Sequence, residues 1–304
     1  MNRRRFVQNT LLSATATAVV IPSVFGQTAT SIKTSFKLKF APHDGMFKHQ
    51  AGDSFLDQIK FMSDQGFTAI EDNDMRNRPI AEQEAIGKLL SDLNMDMGVF
   101  VAHKIYWDKP NLASGDLDYR KEFLKDIENA IGVAKRTNAK WMTIVPGYVD
   151  LRLHEDYQTA NVVKSLKQAC ALLEPHNLTM VLEPLNFRNH PGMFLTRSPQ
   201  AYQICKAVNS SSCKILYDVY HQQIQEGNLI PNIEACWDEI AYFQVGDNPG
   251  RNEPTTGEIN FTNVFKFIHN KGYEGIIGME HGNSQSGKEG ELAVINAYRT
   301  VSQF

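Results

Sequence analysis

The sequence is poor in the features that mark disulfide scaffolds, nucleic-acid-binding proteins and membrane spans. It has four Cys in 304 residues, and none of them forms a CxxC pair, so a disulfide-stapled mini-protein is excluded and a zinc knuckle is unsupported. Its 31 Lys and Arg are outnumbered by 34 Asp and Glu, so no bulk positive charge attracts nucleic acid. The 42% of hydrophobic residues are typical of a globular protein with a sizeable core.

The first 26 residues have the organisation of an export signal. Three arginines at positions 3–5 precede Phe6, and an uncharged stretch at 11–25 leads to small residues near Gly26. A basic start, an apolar middle and a small-residue exit predict a secretory signal, and paired arginines before Phe6 resemble a twin-arginine motif. The apolar stretch is shorter than a permanent membrane anchor. We therefore expect export to the periplasm in the folded state, the alternative being an uncleaved basic tail on a cytosolic protein.

The four cysteines are Cys170, Cys205, Cys213 and Cys236. An oxidising destination would permit a bridge between Cys205 and Cys213. Free Cys is among the most buried residue types, so we expect buried thiols that act as small hydrophobic side chains.

Short apolar runs alternate with longer amphipathic ones after the export signal. Eight runs predict strands, at 36–41, 67–71, 97–102, 141–145, 179–183, 214–218, 240–245 and 275–280. Helical spacing lies between them, at 53–65, 80–93, 119–134, 162–173, 199–208, 261–270 and 289–301. Eight such alternations predict parallel strands joined by helices, and the length fits an α/β fold of the (β/α)8 TIM barrel type, a single domain over residues 35–304. A doubly wound open sheet is the alternative, but no GxGxxG turn follows the first strand.

Acidic residues follow several of these strands, and the carboxyl ends of barrel strands form the functional face. Glu71 ends the second strand, Glu183 the fifth, Asp218 the sixth and Glu280 the eighth, while Gln244 lies on the seventh. Crowded carboxylates repel one another unless a cation neutralises them. We therefore predict a divalent metal held by the last three acids and Gln244, and an all-oxygen ligand set favours Mg²⁺ or Mn²⁺. For any one acid alone, a solvated strand end or a helix N-cap is the alternative.

Further polar residues lie close to these strand ends. His221 follows Asp218 by three residues, in a predicted loop, and could reach the metal or the substrate. His103 ends the third strand, and Arg251 lies in a turn-rich loop, where its guanidinium could bind a substrate carboxylate with two hydrogen bonds. Trp107 could cover the site with an apolar wall. Each of these residues is also compatible with an ordinary surface or packing role.

Five segments resemble the hydroxypyruvate isomerase family, which belongs to the xylose-isomerase-like TIM barrels. They are 182–186 (LEPLN), 217–222 (YDVYHQ), 243–254 (FQVGDNPGRNEP), 256–260 (TGEIN) and 278–281 (GMEH). The resemblance covers nearly all of the chain after the signal, and 244–260 is its most specific part. The well-known members of this family work in the cytoplasm, so the predicted export signal is a difference from them.

The resemblance implies isomerisation of hydroxypyruvate to tartronate semialdehyde. It implies that Glu183 and Glu280 are the acid and base and also touch the metal, with Asp218 and Gln244 as further ligands. Related epimerases have His where this chain has Gln244, which is a neutral and weaker ligand. His221 and Arg251 match places where relatives contact substrate, and we add His103 as a substrate-binding residue.

Three alternative functions remain. The first is an isomerase or epimerase of free ketoses at the same site, including a hydride-shift variant. The second is a phosphodiesterase of the endonuclease IV type, which would need more His ligands and a basic face for DNA. The third is a non-catalytic sugar-binding protein of the envelope. We expect a small-molecule substrate, no nucleic acid and no permanent membrane anchor, and a homo-oligomer would be compatible with the fold.

Overall fold

The strands run parallel and follow the predicted order. The computed structural model describes residues 36–304, so the predicted export signal at 1–26 lies outside the described residues. The strands are β1 Lys39–Ala41, β2 Ala69–Ile70, β3 Asp96–Met97, β4 Trp141–Ile144, β5 Thr179–Leu182, β6 Cys213–Asp218, β7 Ile240–Val245 and β8 Ile276–Met279. Six pair in the order β1-β8-β7-β6-β5-β4, and β2 pairs with β3. Single parallel bridges, His43 to Glu71 and Val101 to Thr143, connect the two sheets. The predicted α/β barrel, a single domain, is confirmed.

Helices connect the strands and cover their outer faces. Their bounds are α1 Lys48–Ala51, α2 Phe55–Asp64, α3 Ile80–Leu93, α4 Leu117–Thr137, α5 Glu155–Leu173, α6 Ser198–Val208, α7 Val219–Gln225, α8 Leu229–Ala235, α9 Phe261–Asn270 and α10 Gly287–Val301. Short 3₁₀ turns lie at Met75–Asn77, Glu174–His176 and Trp237–Glu239. The seven predicted helices are confirmed, and their ends have local causes. At α4, the Asp116 carboxylate accepts the N–H groups of Asp118 and Tyr119, while Asn138 ends the helix in a left-handed conformation.

The core has two layers, because alternate strand residues point to opposite faces. Along β6, Leu216 belongs to a small cluster inside the barrel, whereas Ile215 and Tyr217 pack in the larger cluster between strands and helices. Tyr242 fills much of the interior. A Cβ atom on Gly98 would come within 2.3 Å of the Tyr242 hydroxyl, so glycine is required there.

The structure differs from the predicted pattern at β2 and β3. Each has two residues, where the apolar runs predicted five or six. The apolar run at 97–102 extends further than the strand pairing. Beyond Met97, the chain pairs with the neighbouring strand β4 at the single bridge of Val101. The sequence analysis also left α1, α7 and α8 unpredicted. The first has four residues and the others seven each, too short for a helical period to stand out.

Two smaller expectations can be compared with the structure. All four cysteines are buried and free, so the expected thiols are confirmed and no bridge joins Cys205 to Cys213. Within residues 36–304, no helix combines the length and the apolar character needed to cross a bilayer.

Candidate active site

The predicted acids converge at the carboxyl ends of the strands. Glu183 directly follows β5, Asp218 ends β6, and Glu280 directly follows β8. The register pairs Asp218 with Gln244 and Gln244 with Gly278, so adjacent strands present these residues at one level. Asp218 is 0% exposed and Glu183 is 7% exposed. The prediction of a shared rim therefore agrees with the geometry.

Arg251 lies between two of these acids. Its Nη2 donates to Glu280 Oε2 at 2.7 Å and to Asp218 Oδ2 at 3.3 Å, and its Nε donates to the Glu280 carbonyl at 3.2 Å. The guanidinium also lies 4.9 Å above the centre of the Tyr220 ring. Among the described residues, none of the hydrogen bonds that Arg251 donates uses Nη1. The arginine predicted to bind a substrate carboxylate thus also holds the protein's own acids together.

A buried aspartate, Asp247, fixes the loop that carries Arg251. Its carboxylate accepts the backbone N–H groups of Asn248, Gly257 and Ile259 at 2.9, 2.8 and 3.1 Å. These bonds hold the loop while Arg251 adopts a left-handed φ of 51°, a conformation that costs a non-glycine residue free energy. Asp247 was not among the predicted site residues, although it lies in the segment most specific for the family resemblance.

His221 lies in a helix rather than in the predicted loop. The Asp218 carboxylate caps α7 by accepting the N–H groups of Tyr220 at 2.7 Å and His221 at 3.3 Å. The cap places His221 Nε2 3.5 Å from Asp218 Oδ2 and 3.7 Å from Glu183 Oε1. On the other side of the ring, Nδ1 faces the backbone and side-chain nitrogens of Asn186.

Burial and mutual repulsion govern the charges of the site. Burial raises the pKa of Glu183 well above its usual range, and the charges of Glu280 and Asp218 raise it further, while Arg251 opposes this. Burial likewise raises the pKa of Glu280 and of Asp218, again against the effect of Arg251. Burial lowers the pKa of His221 to about 3, so its imidazole is neutral. The Arg251 guanidinium is thus the positive charge that opposes the repulsion among the carboxyl groups of Glu183, Asp218 and Glu280.

The end of β2 contributes two residues, Glu71 and Asn73, that were not among the predicted site residues. Glu71 accepts hydrogen bonds from the Tyr242 hydroxyl and from Gln244 Nε2, both at 2.8 Å. A Cβ atom on Gly278 would lie 1.9 Å from Glu71 Oε2, so β8 needs glycine at this level. Asn73 Nδ2 donates to Glu280 Oε1 at 2.8 Å. Glu71 ends a predicted strand, which is the signal that identified the other acids.

The residues present fit a divalent cation. Glu183, Asp218 and His221 each offer a ligand atom, and these atoms lie within 4.8 Å of one another. Gln244 Oε1 is buried and has no hydrogen-bond partner among the described residues. A buried acceptor left unpaired is costly, and a cation would satisfy it. Carboxylate and amide oxygens suit a hard ion such as Mg²⁺ or Mn²⁺.

Among the described residues, neither His103 nor Trp107 forms a hydrogen bond with Glu183, Asp218 or Glu280. His103 is 3% exposed, and its Nε2 accepts the N–H of Val145 at 3.2 Å, which occupies this nitrogen. Trp107 is 47% exposed and stacks on His190 with ring centres 5.0 Å apart, and His190 lies 5.4 Å from His221. His190, which the sequence did not distinguish from other histidines, therefore connects Trp107 with the site.

An open cavity of about 370 Å³ borders Glu280 and Asn73. His43 and Asp44, from the end of β1, form part of its wall. A volume of this size accommodates a small polar molecule beside the carboxylates.

A model of the xylose isomerase-like TIM barrel family matches residues 59–299. The chain belongs to this family. Hydroxypyruvate isomerase of Escherichia coli (strain K12) is 33% identical over 179 residues, which are 59% of this chain and 69% of that protein. A 2-oxo-tetronate isomerase of Cupriavidus necator is 27% identical over 229 residues, 75% of this chain and 87% of that protein.

Solved structures of the same fold belong to proteins described by other functions. A protein of Brucella melitensis described as an AP endonuclease, family 2, has a TM-score of 0.75 at 24% identity and covers 86% of this chain and 99% of its own. A 3-keto-D-glucoside 4-epimerase of E. coli has a TM-score of 0.71 at 16% identity, covering 88% of this chain and all of its own. These likenesses show the fold, and the curated relatives support an isomerase of small substrates.

Proposed function

We propose that the protein is a metal-assisted isomerase that interconverts hydroxypyruvate and tartronate semialdehyde, or a similar small hydroxy-carbonyl acid. The observation that carries the proposal is the convergence of Glu183 and Glu280 around Asp218 and Arg251, at one rim and largely out of water. Two carboxyl groups with raised pKa values suit proton removal and return near neutral pH. The curated relatives with isomerase names support the same reaction class.

The reaction needs two proton transfers at carbon and no external oxidant or reductant. One glutamate removes the proton from the hydroxyl-bearing carbon, and the electron pair left behind forms the double bond of an enediolate. A proton moves between the two oxygens, and the opposite glutamate delivers a proton to the former carbonyl carbon. Either Glu183 or Glu280 serves first, depending on the direction of the reaction.

Glu183, Asp218, Gln244 and Glu280 would hold the divalent cation. When bound, such a cation supplies positive charge that stabilises the enediolate oxygens. His221 Nε2, which faces Asp218 and Glu183, is placed to hold or move the oxygen-bound proton. Arg251 is placed to bind a substrate carboxylate through Nη1, and the loop contacts of Asp247 keep it there.

A second candidate is the isomerisation of a four-carbon hydroxy-carbonyl acid. The Cupriavidus necator relative named 2-oxo-tetronate isomerase covers more of this chain than the E. coli relative does. The cavity beside Asn73 gives room for an additional hydroxylated carbon. We keep export by the twin-arginine route to the periplasm as part of the proposal, on the sequence of the first 26 residues alone.

The test is solvent exchange by the purified mature protein in D₂O, with Mg²⁺ or Mn²⁺ added and with a chelator as control. Metal analysis of the protein accompanies it. We expect deuterium to enter the carbon-bound position of hydroxypyruvate, followed by the appearance of tartronate semialdehyde. Exchange confined to ketoses would favour the sugar isomerase alternative. Absence of exchange with every metal and substrate would contradict the proposal and favour a binding protein.

A further inference from the structure

A buried asparagine, Asn186, directs two hydrogen-bond donors at one nitrogen of the His221 ring. Its backbone N–H points to His221 Nδ1 at 3.2 Å, and its side-chain Nδ2 lies 2.6 Å from the same nitrogen. Asn186 is 0% exposed, and His221 is 1% exposed. Both ring nitrogens are therefore in an environment that only protein groups and a bound ligand can satisfy.

The orientation of the Asn186 amide follows from its other contacts. Its Oδ1 accepts the backbone N–H groups of Arg188 at 3.0 Å and Asn189 at 2.9 Å, which only an oxygen can do. The opposite end is therefore the NH₂ group, and its second proton reaches Asn189 Oδ1 at 2.9 Å. Because the Asn186 NH₂ group only donates, this end of Asn189 is its oxygen, and the Tyr220 hydroxyl donates to the same oxygen at 3.1 Å.

Two donors that converge on Nδ1 determine where the imidazole proton lies. A neutral imidazole carries one proton, and a nitrogen that accepts hydrogen bonds cannot carry it. Nε2 faces the Asp218 and Glu183 carboxylates at 3.5 and 3.7 Å and one donor, Arg251 Nη2, at 3.5 Å. That contact is longer than the two donor contacts at Nδ1, so the proton lies on Nε2. A nitrogen that carries a proton donates a hydrogen bond and offers no lone pair to a metal.

We propose that Asn186 is a positioning residue that fixes His221 in the Nε2–H form, so that His221 serves as a hydrogen-bond donor to the reacting oxygens and is not a metal ligand. This deepens the proposed function, on which its kinetic consequence rests. The location of the ring proton stands independently of the reaction. It also leaves the cation to the carboxylates and Gln244.

The first measurement is the protonation of each His221 ring nitrogen in the full mature chain, labelled with ¹⁵N-histidine, with and without Mg²⁺. Protonated and unprotonated ring nitrogens have well separated ¹⁵N resonances, and a His221→Gln sample assigns the signal. We expect a bare Nδ1 and a protonated Nε2 in both samples. A wild-type ring with Nδ1 protonated, or with Nε2 bare in the presence of Mg²⁺, would overturn the proposal.

The second measurement compares Asn186→Asp with Asn186→Ala. The aspartate keeps the shape but presents a second oxygen to Nδ1, which should draw the proton to that side. The alanine keeps the backbone donor, which leaves the proton on Nε2. We expect kcat for deuterium exchange to fall about a hundredfold in Asn186→Asp and about tenfold or less in Asn186→Ala, with KM changed little in either.

A merely structural role predicts the reverse order, because the isosteric aspartate would disturb packing less than alanine would. That order, or an Asn186→Asp ring that keeps Nδ1 bare, would refute the proposal. Asn263→Asp, an exposed site on α9, controls for the added charge and should behave as wild type. If Asn186→Asp does not fold, the wild-type spectrum and Asn186→Ala still decide. A wild type without exchange activity would contradict the proposed reaction, while the spectra would still test the tautomer.

Discussion

The two sides of the barrel mouth are built differently. From β4 through β8 to β1, strands of three to six residues form one continuous ladder, and their ends carry Glu183, Asp218 and Glu280. On the other side, β2 and β3 have two residues each and join the ladder through single bridges. The regular side thus carries the groups proposed to do the chemistry.

The irregular side contacts two residues of the regular ladder. Glu71, at the end of β2, holds the Gln244 amide, and Asn73, two residues later, holds Glu280. The chain turns at Asn73 and Asp74, soon after β2, and the side chains of Glu71 and Asn73 reach residues of the regular ladder. The comparison indicates that the reacting groups come from the regular ladder and that the irregular side helps to orient two of its residues, Gln244 and Glu280.

The strongest test of this division is the removal of either proton-transfer group. We expect Glu183→Gln and Glu280→Gln each to lower the rate of deuterium exchange about a thousandfold, because the amide has the shape of the acid but cannot take up a proton. Melting temperatures should stay near that of the wild type, since both changes relieve carboxylate repulsion. Near wild-type exchange in either variant would remove that residue from the mechanism.

A second test concerns the metal and the β2 side. In Glu71→Gln, a neutral amide oxygen replaces the carboxylate oxygen that accepts Gln244 Nε2, so the hydrogen bond that orients the Gln244 amide is expected to weaken. We expect the affinity for Mn²⁺, measured by titration calorimetry, to fall about ten- to a hundredfold. Tyr242→Phe removes the other donor to Glu71 and leaves the Gln244 contact, so it is the matched control. An equal loss of affinity in both variants would mean that general destabilisation, not orientation, is responsible.

The sequence predicted the regular side well, because its signals are direct. Glu183, Asp218 and Glu280 each end an apolar run, and barrel geometry brings such ends together. Arg251 was found from its turn-rich loop, although its contacts with the protein's own carboxylates could not be foreseen. The positions of the strand ends were therefore enough to predict most of the candidate site.

The orienting residues could not be predicted in the same way. Asn73 and Asn186 act through hydrogen bonds to other side chains, and such bonds leave no periodic pattern in the sequence. Asp247 supports a loop from within the loop itself. Glu71 did end a predicted strand, but its role depends on Gly278, where the missing side chain leaves room for its carboxylate.

A smaller effect is expected from Asn73→Ala, which removes the hydrogen bond to Glu280 Oε1 but no proton-transfer group. We expect kcat for deuterium exchange to fall about tenfold, the usual worth of one hydrogen bond to a charged group. Metal affinity should change less than in Glu71→Gln, because the side-chain hydrogen bond that Asn73 donates goes to Glu280 and not to Gln244. A kcat equal to that of the wild type would show that the β2 side orients Gln244 alone.

The smallest effect on turnover is expected at His103, which was predicted to bind substrate but accepts the Val145 N–H with Nε2. Burial lowers its pKa to about 4, whereas an unfolded chain binds the proton near pH 6.5. The unfolded state therefore takes up more protons as the pH falls through this interval, and stability is lost. Between pH 7 and pH 5 this loss is about 2 kcal/mol.

In His103→Gln, urea unfolding should show a correspondingly flatter pH dependence and exchange activity should remain, with the exposed His176→Gln as control. A large loss of activity in His103→Gln alone would restore His103 to the substrate site and extend the chemistry to the irregular side of the mouth.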